Sequence, residues 1–274
     1  MIHPTAIIDP AAKVGRDVTV GPYAVIEGAA QIGDRCTIQA HAVIGESVEM
    51  GEDNLIGYGT VIGSEPQDLS FRPTIRSHVR IGNGNKLREY VTIHRGSVQD
   101  SATVIGDGCY LMGGTHLAHN VQIGSHAIIA NNSLLGGYVQ VGDRVFIGGG
   151  CVFHQFIRIG RLAICQGGSA FSKDVPPFVT AAERNGVAGL NAIGLRRAGL
   201  TAAQRAEIKT AFDLLFRAGL NVSQAISRAG EQSWGEEGRE FWDFVAAAKR
   251  RGLVAPLSSR GRGLSPFHDS EQSD

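Results

Sequence analysis

Long apolar runs are missing from this chain of 274 residues, and no stretch reaches the eighteen or so apolar residues that a membrane helix needs. The opening "MIHPTAIIDP" has neither a basic n-region nor an apolar h-region, so no secretory signal is expected. No two of the four cysteines, Cys36, Cys109, Cys151 and Cys165, form a CxxC pair. That suits reduced thiols in a cytoplasmic protein. Net charge is absent too: 26 basic side chains balance 26 acidic ones, which gives no reason to expect nucleic acid as a partner. Only 19% of residues are charged while 43% are hydrophobic, a globular balance. What the chain has in abundance is glycine, 37 in all, and that calls for a fold built on turns.

The turns are regular. From Ile8 every sixth residue is aliphatic: Val14, Val20, Ile26, Ile32, Ile38, Ile44, Met50, Ile56 and Ile62 follow. At the chain's own apolar frequency such a run would arise by chance about twice in ten thousand trials. Glycine often comes next, as at Gly15, Gly33, Gly51 and Gly63. The frame then slips by one and resumes from Ile75 to Phe171, with Gln99 the single polar residue among its 17 positions. Two residues before the aliphatic stands a small or β-branched residue, as at Ala24, Cys36, Thr60, Thr115 and Cys151. Six residues per face and three faces per coil predict a mainly β fold, a left-handed parallel β-helix. About nine or ten coils at strand spacing would make a prism some 45 Å long.

Two segments depart from the pattern: "SEPQDLSFRPT" (64–74), which absorbs the slip, and "GSVQDSAT" (96–103), which carries Gln99. Excursions from a solenoid sit at its surface and often serve binding. Pro176–Pro177 ends the repeat, and from Asn191 the composition changes. Thr201 and Gln204 make a capping box ahead of Ile208, Ala211, Phe212 and Leu215 at helical spacing, with Gly219 beyond the end. Shorter helical patterns span 222–229 and 236–251. The expected organisation is a β-helix over 1–186, a small α-helical domain over 187–255 and a disordered tail over 256–274.

Charge is distributed unevenly along the chain. Residues 1–155 hold ten basic and fourteen acidic groups, whereas 156–255 hold fourteen basic and nine acidic. Arg158, Arg161, Lys173, Arg184, Arg196 and Arg197 lie where prism meets helices, and a basic region there could steer an acidic partner or be an ordinary solvated surface.

One coil is eighteen residues, so His119, Gly137 and Gln155 fall in one column, with Asn120, Tyr138 and Phe156 in the next. His119 lies two residues past the inward Leu117, on a turn where side chains can leave the core. Because Gly137 has no side chain, the column holds a gap. A base, a bare backbone N–H and a polar wall suit acyl transfer: the histidine removes a proton from a hydroxyl and the N–H meets the oxyanion. Spacing alone leaves a purely structural histidine equally open.

The stretches "THLAHN", "HQF", "EPQDL", "VTIHRG", "DVPPF" and "GLNAIGLRRAG" closely resemble the UDP-N-acetylglucosamine O-acyltransferase family, from residue 1 to about 250. The resemblance implies a cytoplasmic homotrimer with sites between neighbouring prisms. It also implies transfer of a 3-hydroxyacyl group from the phosphopantetheine thioester of acyl carrier protein to the sugar 3-position, the first step of lipid A synthesis, with no bound cofactor or metal. Carried over position by position, His119 is the general base and Gly137 the oxyanion donor, with Asn120 beside the base. Gln67, Asp68 and His116 would hold the sugar, His154 and Gln155 line the site, Asn191 and Arg197 contact the nucleotide, and Gly167 limits acyl length. Arg95 is a shared motif residue to which the resemblance assigns no clear role.

Four positions depart from the family pattern. Asn120 stands where aspartate is common, Tyr138 replaces a histidine, Ser70 a lysine and Ile193 a glutamate. They bear on sugar recognition, including whether the accepting position is a hydroxyl or an amine. Three other readings fit the same residues: a zinc site on His94, His116 and His119, a related sugar-nucleotide N-acyltransferase, and a trimeric binding protein without activity. A covalent cysteine mechanism is disfavoured because all four cysteines fall at positions expected to be buried.

Overall fold

A computed structural model describes residues 1–248 and 251–257. Short strands, mostly of two residues, stack in parallel into three flat sheets that form the faces of a left-handed prism. One face has nine strands, from Ile7–Ile8 to Ala170–Phe171, and a second has eight, from Lys13–Val14 to Arg158–Ile159. The third begins at Thr19–Val20 and reaches eleven strands by adding Val179–Ala182, Gly186–Leu190 and Ala255–Pro256. The hexad aliphatics point inward: Ile26, Ile44, Ile62, Ile93, Leu117 and Leu135 are all buried in one column. Each such side chain removed from water contributes about 1.5–3 kcal/mol, so the core's stability is spread evenly along the axis.

The two departures from the repeat differ in kind. Ile62 pairs with Ile93, 31 residues on, so the first excursion inserts thirteen residues beyond a coil and shifts the frame by one. Ile93 pairs with Leu117, 24 residues on, so the second inserts six. Six is the period itself. The insertion is therefore silent in the hexad count, and neither Ile75 nor Gln99 occupies a position in the prism wall.

The corners are turns whose third residue is left-handed. Asn120, Tyr138 and Phe156 have φ of 61°, 60° and 68° and form one column. Asparagine accepts this conformation at low cost, while a ring does so only with compensation. Here Tyr138 and Phe156 stack at 4.9 Å with 15° between their planes.

The antiparallel hairpin of Val179–Ala182 with Gly186–Leu190 continues the sheet past the prism, so the first helix starts later than the expected boundary at 187. Four helices follow: α1 (Ala192–Arg197), α2 (Ala202–Phe216), α3 (Val222–Ala229) and α4 (Glu236–Ala246). The Thr201/Gln204 capping box is formed, and Ile208, Ala211, Phe212 and Leu215 are the buried face of α2. The chain then returns: Ala255 and Pro256 pair with Gly186 and Val187, so the expected tail does not begin at 256. The remainder of that expected tail, 258–274, lies outside the described residues. No helix among the described residues is long and apolar enough to cross a membrane.

Candidate active site

Gln67, His116, Ala118, His119, Gly136, Gly137, His154 and Gln155 line a cleft of about 330 Å³ along one corner of the prism. Six of the expected site residues are thus brought together: Gln67, His116, His119, Gly137, His154 and Gln155. The His119 ring lies across Gly137 so closely that a Cβ there would meet Cε1 at 2.6 Å and Nε2 at 2.7 Å. Glycine at 137 is required by that approach, not by its backbone angles. The Gly137 carbonyl accepts the Phe156 N–H at 2.9 Å, whereas its own N–H has no acceptor among the described residues.

The orientation of His119 follows from a chain of bonds. Ser97, in the six-residue excursion, donates its backbone N–H to Asn120 Oδ1 at 2.9 Å and its hydroxyl at 3.0 Å. A backbone N–H can only donate, so the oxygen of the amide must face Ser97. That same oxygen lies 3.1 Å from His119 Nδ1. Nδ1 must therefore carry the hydrogen, and Nε2 keeps a free lone pair. Asn120 is itself held, with its N–H donated to Thr103 Oγ1 at 2.8 Å, and is buried rather than open to the cleft. Ser97 Oγ also lies 3.2 Å from the Tyr138 hydroxyl, and the Tyr138 ring meets His119 edge-on at 5.3 Å. The two departures Asn120 and Tyr138 are thus linked through Ser97.

His116 sits one strand residue before the inward Leu117, 2.7 Å by Nδ1 from Thr92 Oγ1, and burial pushes its pKa down. His94 packs edge-on against it at 4.8 Å. Its pKa falls to about 4, chiefly through burial and further through His116 and His119. A desolvated imidazole resists protonation, so this end of the cleft is neutral. His94, His116 and His119 do not converge on one point: no group of three or more His, Cys, Asp or Glu side chains able to hold a metal ion occurs among the described residues. Asp68 accepts the Ser70 N–H and hydroxyl, which holds its carboxyl below the usual range.

The remaining expected residues lie elsewhere. Asn191 and Arg197 line a separate pocket of about 690 Å³ with Ile193, Arg144 and His126. Asn191 is buried as the N-cap of α1, its Oδ1 accepting Gly194 N–H and its Nδ2 donating to the Leu162 carbonyl. Gly167 is on a different corner, at the other edge of the nine-stranded face from His119, above Gly149.

The basic region is only partly available as a free surface. Arg158 binds the buried Asp174 through two nitrogens, at 2.9 and 2.7 Å, and stacks on Phe244. Arg161 grips Glu240 of α4 at 2.6 Å and lies over Phe178. These two arginines clamp the helical domain to the prism, so the expectation that they present free charge to a partner is corrected. Lys173, Arg184, Arg196 and Arg197 are exposed. All four cysteines are buried and free, and burial raises each thiol's pKa, so none is a poised nucleophile.

Fold and cleft define a class: a hexapeptide-repeat transferase, here with a histidine ring lying across a bare glycine. Comparison with known proteins agrees. The model described as bacterial transferase hexapeptide (six repeats) matches residues 29–64 and 102–137, and that described as UDP N-acetylglucosamine O-acyltransferase, domain 2, matches 174–254. The acyl-(acyl-carrier-protein)–UDP-N-acetylglucosamine O-acyltransferase of Ralstonia nicotianae is 51% identical over 268 residues, covering 92% of this chain and 97% of that one. That of Cupriavidus pinatubonensis is 52% identical over 267 residues, covering 92% and 98%. Among solved structures, the UDP-N-acetylglucosamine acyltransferase of Bacteroides fragilis superposes with a TM-score of 0.87 at 36% identity, covering 93% of this chain and all of the other. This chain belongs to the acyl-(acyl-carrier-protein)–UDP-N-acetylglucosamine O-acyltransferase family and is an acyltransferase.

Proposed function

We propose that this protein transfers a 3-hydroxyacyl group from acyl carrier protein to the 3-hydroxyl of UDP-N-acetylglucosamine, at the cleft around His119, as the first step of lipid A synthesis in the cytoplasm. The observation that carries the mechanism is the Ser97–Asn120–His119 chain, which leaves Nε2 as the free base above Gly137.

In the reaction the sugar hydroxyl attacks the thioester carbonyl while its proton passes to His119 Nε2. The new C–O bond gives a tetrahedral oxyanion within reach of the Gly137 N–H. As the C–S bond breaks, the imidazolium returns its proton to the departing phosphopantetheine sulfur, and the histidine is regenerated. Asn120 keeps the base in the right tautomer but stabilises the imidazolium only as a dipole. Gln67, Asp68 and His116 hold the sugar, with His154 and Gln155 along the wall.

A homotrimer completes the site. Leu134 and Val152 are exposed on the face that carries His116, and Ile128 and Phe146 on the next face. Between these apolar faces runs a corner bare of side chains at Gly149, Gly150, Gly167 and Gly168, while Asn131 and Asn132 lie over Gly113 and Gly114 further down it. Exposed apolar surface on two adjacent faces supports packing of three prisms about an axis. That packing would bring the Asn191 and Arg197 pocket of one copy toward the cleft of the next and lay the acyl chain along the bare corner, with Gly167 at its limit. Mass spectrometry of products from a panel of acyl carrier proteins and UDP-sugars tests the reading. An O-linked 3-hydroxyacyl sugar nucleotide supports it. Acylation of an amino sugar alone, or no product, overturns it.

A further inference from the structure

The two excursions leave the prism at neighbouring coils and meet, and one side chain joins them. Arg95 begins the six-residue excursion and is buried, 9% exposed. Its Nη1 donates to the Ile75 carbonyl at 2.8 Å, its Nη2 lies 3.5 Å from Glu65 Oε1, and its Cζ sits 5.0 Å above the Phe71 ring. Its backbone N–H donates to the Ser64 carbonyl at 3.0 Å. One guanidinium therefore contacts the beginning, middle and end of the longer excursion. Gln67, which lines the cleft, lies on the span between Glu65 and Phe71. The backbones support the same docking: Arg76 N–H donates to Gln99 Oε1 at 3.2 Å and Asp100 N–H to the Arg76 carbonyl at 2.8 Å. Within the span, Leu69 is fully exposed and the side chains on either side of it bond mainly to one another, so little else ties the segment to the prism.

We propose that Arg95 is a positioning residue whose guanidinium latches the 65–75 segment over the cleft and so sets the affinity for the sugar nucleotide. A planar fork can serve a carbonyl, a carboxylate and a ring face together, whereas a lysine's single ammonium cannot. The base, its tautomer and the oxyanion donor lie outside the latch, so the chemical step does not depend on it. The sugar-binding role of Gln67 and Asp68 rests on the proposed function above; the latch itself does not.

The test is Arg95→Met in the full chain, with Glu65→Gln and Phe71→Leu as second variants that leave Arg95 in place. Arg95→Met raises KM for UDP-N-acetylglucosamine about tenfold or more, with kcat within about threefold and the pH profile of kcat unmoved. Hydrogen exchange at the Phe71 and Ile75 amides accelerates about tenfold while the core strands stay protected. Each second variant gives a smaller rise of the same kind, and adds little when combined with Arg95→Met, because the contact is already gone. Unchanged exchange at Phe71 and Ile75 overturns the latch, as does equal loss of kcat and kcat/KM alongside a lowered Tm, which would make Arg95 a general structural residue. If the wild-type chain fails to acylate the sugar, the proposed function fails, and exchange still decides the latch.

Discussion

Replacing Asn120 with aspartate puts a carboxylate where an amide oxygen now accepts from His119 Nδ1 at 3.1 Å. The Ser97 N–H and hydroxyl, which reach the same oxygen at 2.9 and 3.0 Å, would hold the new carboxylate ionised. Two opposite charges about 4 Å apart attract by about 1 kcal/mol in water and about 4 kcal/mol near a protein surface of lower effective dielectric. Taking about 2 kcal/mol for this half-buried ring, the imidazolium gains about 1.5 pH units of stability. In the proposed mechanism His119 takes the proton only when neutral, so stabilising its imidazolium moves the acid limb of the kcat/KM profile by that amount toward higher pH. The assay is steady-state acylation of UDP-N-acetylglucosamine from pH 5 to 9, with Tm measured alongside. An acid limb that stays in place while KM for the sugar changes would refute the reasoning. Asn120 would then act through Ser97 and Tyr138 on the sugar pocket rather than on the base.

Further expectations concern the cleft and its supports. Gly137→Ala, whose Cβ would press on the His119 ring from 2.6 Å, should cut kcat/KM at least about tenfold without lowering Tm by more than a few degrees, since the φ at 137 suits any residue. His94 titrates at about 4 in the folded protein and near 6.5 when unfolded, so its contribution is intact above pH 6.5 and falls away toward pH 4. The loss amounts to about 3 kcal/mol, and His94→Gln should flatten that part of a Tm-against-pH curve. Arg158→Met strands the buried Asp174 carboxylate and should cost about 3 kcal/mol in urea unfolding, whatever the effect on the acyl donor's KM.

The fold was legible because a β-helix writes its geometry into a strict period, and buried Ile, Leu and Val fulfil it coil after coil. What the period could not reveal was an insertion equal to itself. Gln99 looked like a polar residue in the wall, and only the pairing of Ile93 with Leu117 exposes the extra six residues. With that offset, Arg95 and Gly96 fall beneath His119 and Asn120, and Ser97, the residue that orients Asn120 against the His119 ring, comes next. A uniform eighteen-residue stack hides it. His119 over Gly137 was readable because no insertion interrupts that part of the column. Arg158 and Arg161 looked like a free basic surface, since their partners Asp174 and Glu240 lie 16 and 79 residues away and sequence spacing says nothing of such pairs. The short helix Ala192–Arg197 carries too few apolar residues for a helical pattern, and is held instead by the Asn191 cap.

The central claim is that His119 Nε2 removes the proton from the acceptor hydroxyl. The most direct measurement is kcat/KM of His119→Ala with acyl carrier protein thioester and UDP-N-acetylglucosamine, on protein whose Tm and oligomeric state match wild type. The account predicts a loss of about a hundredfold or more, the usual scale for a general base. Activity within a few fold of wild type would contradict it.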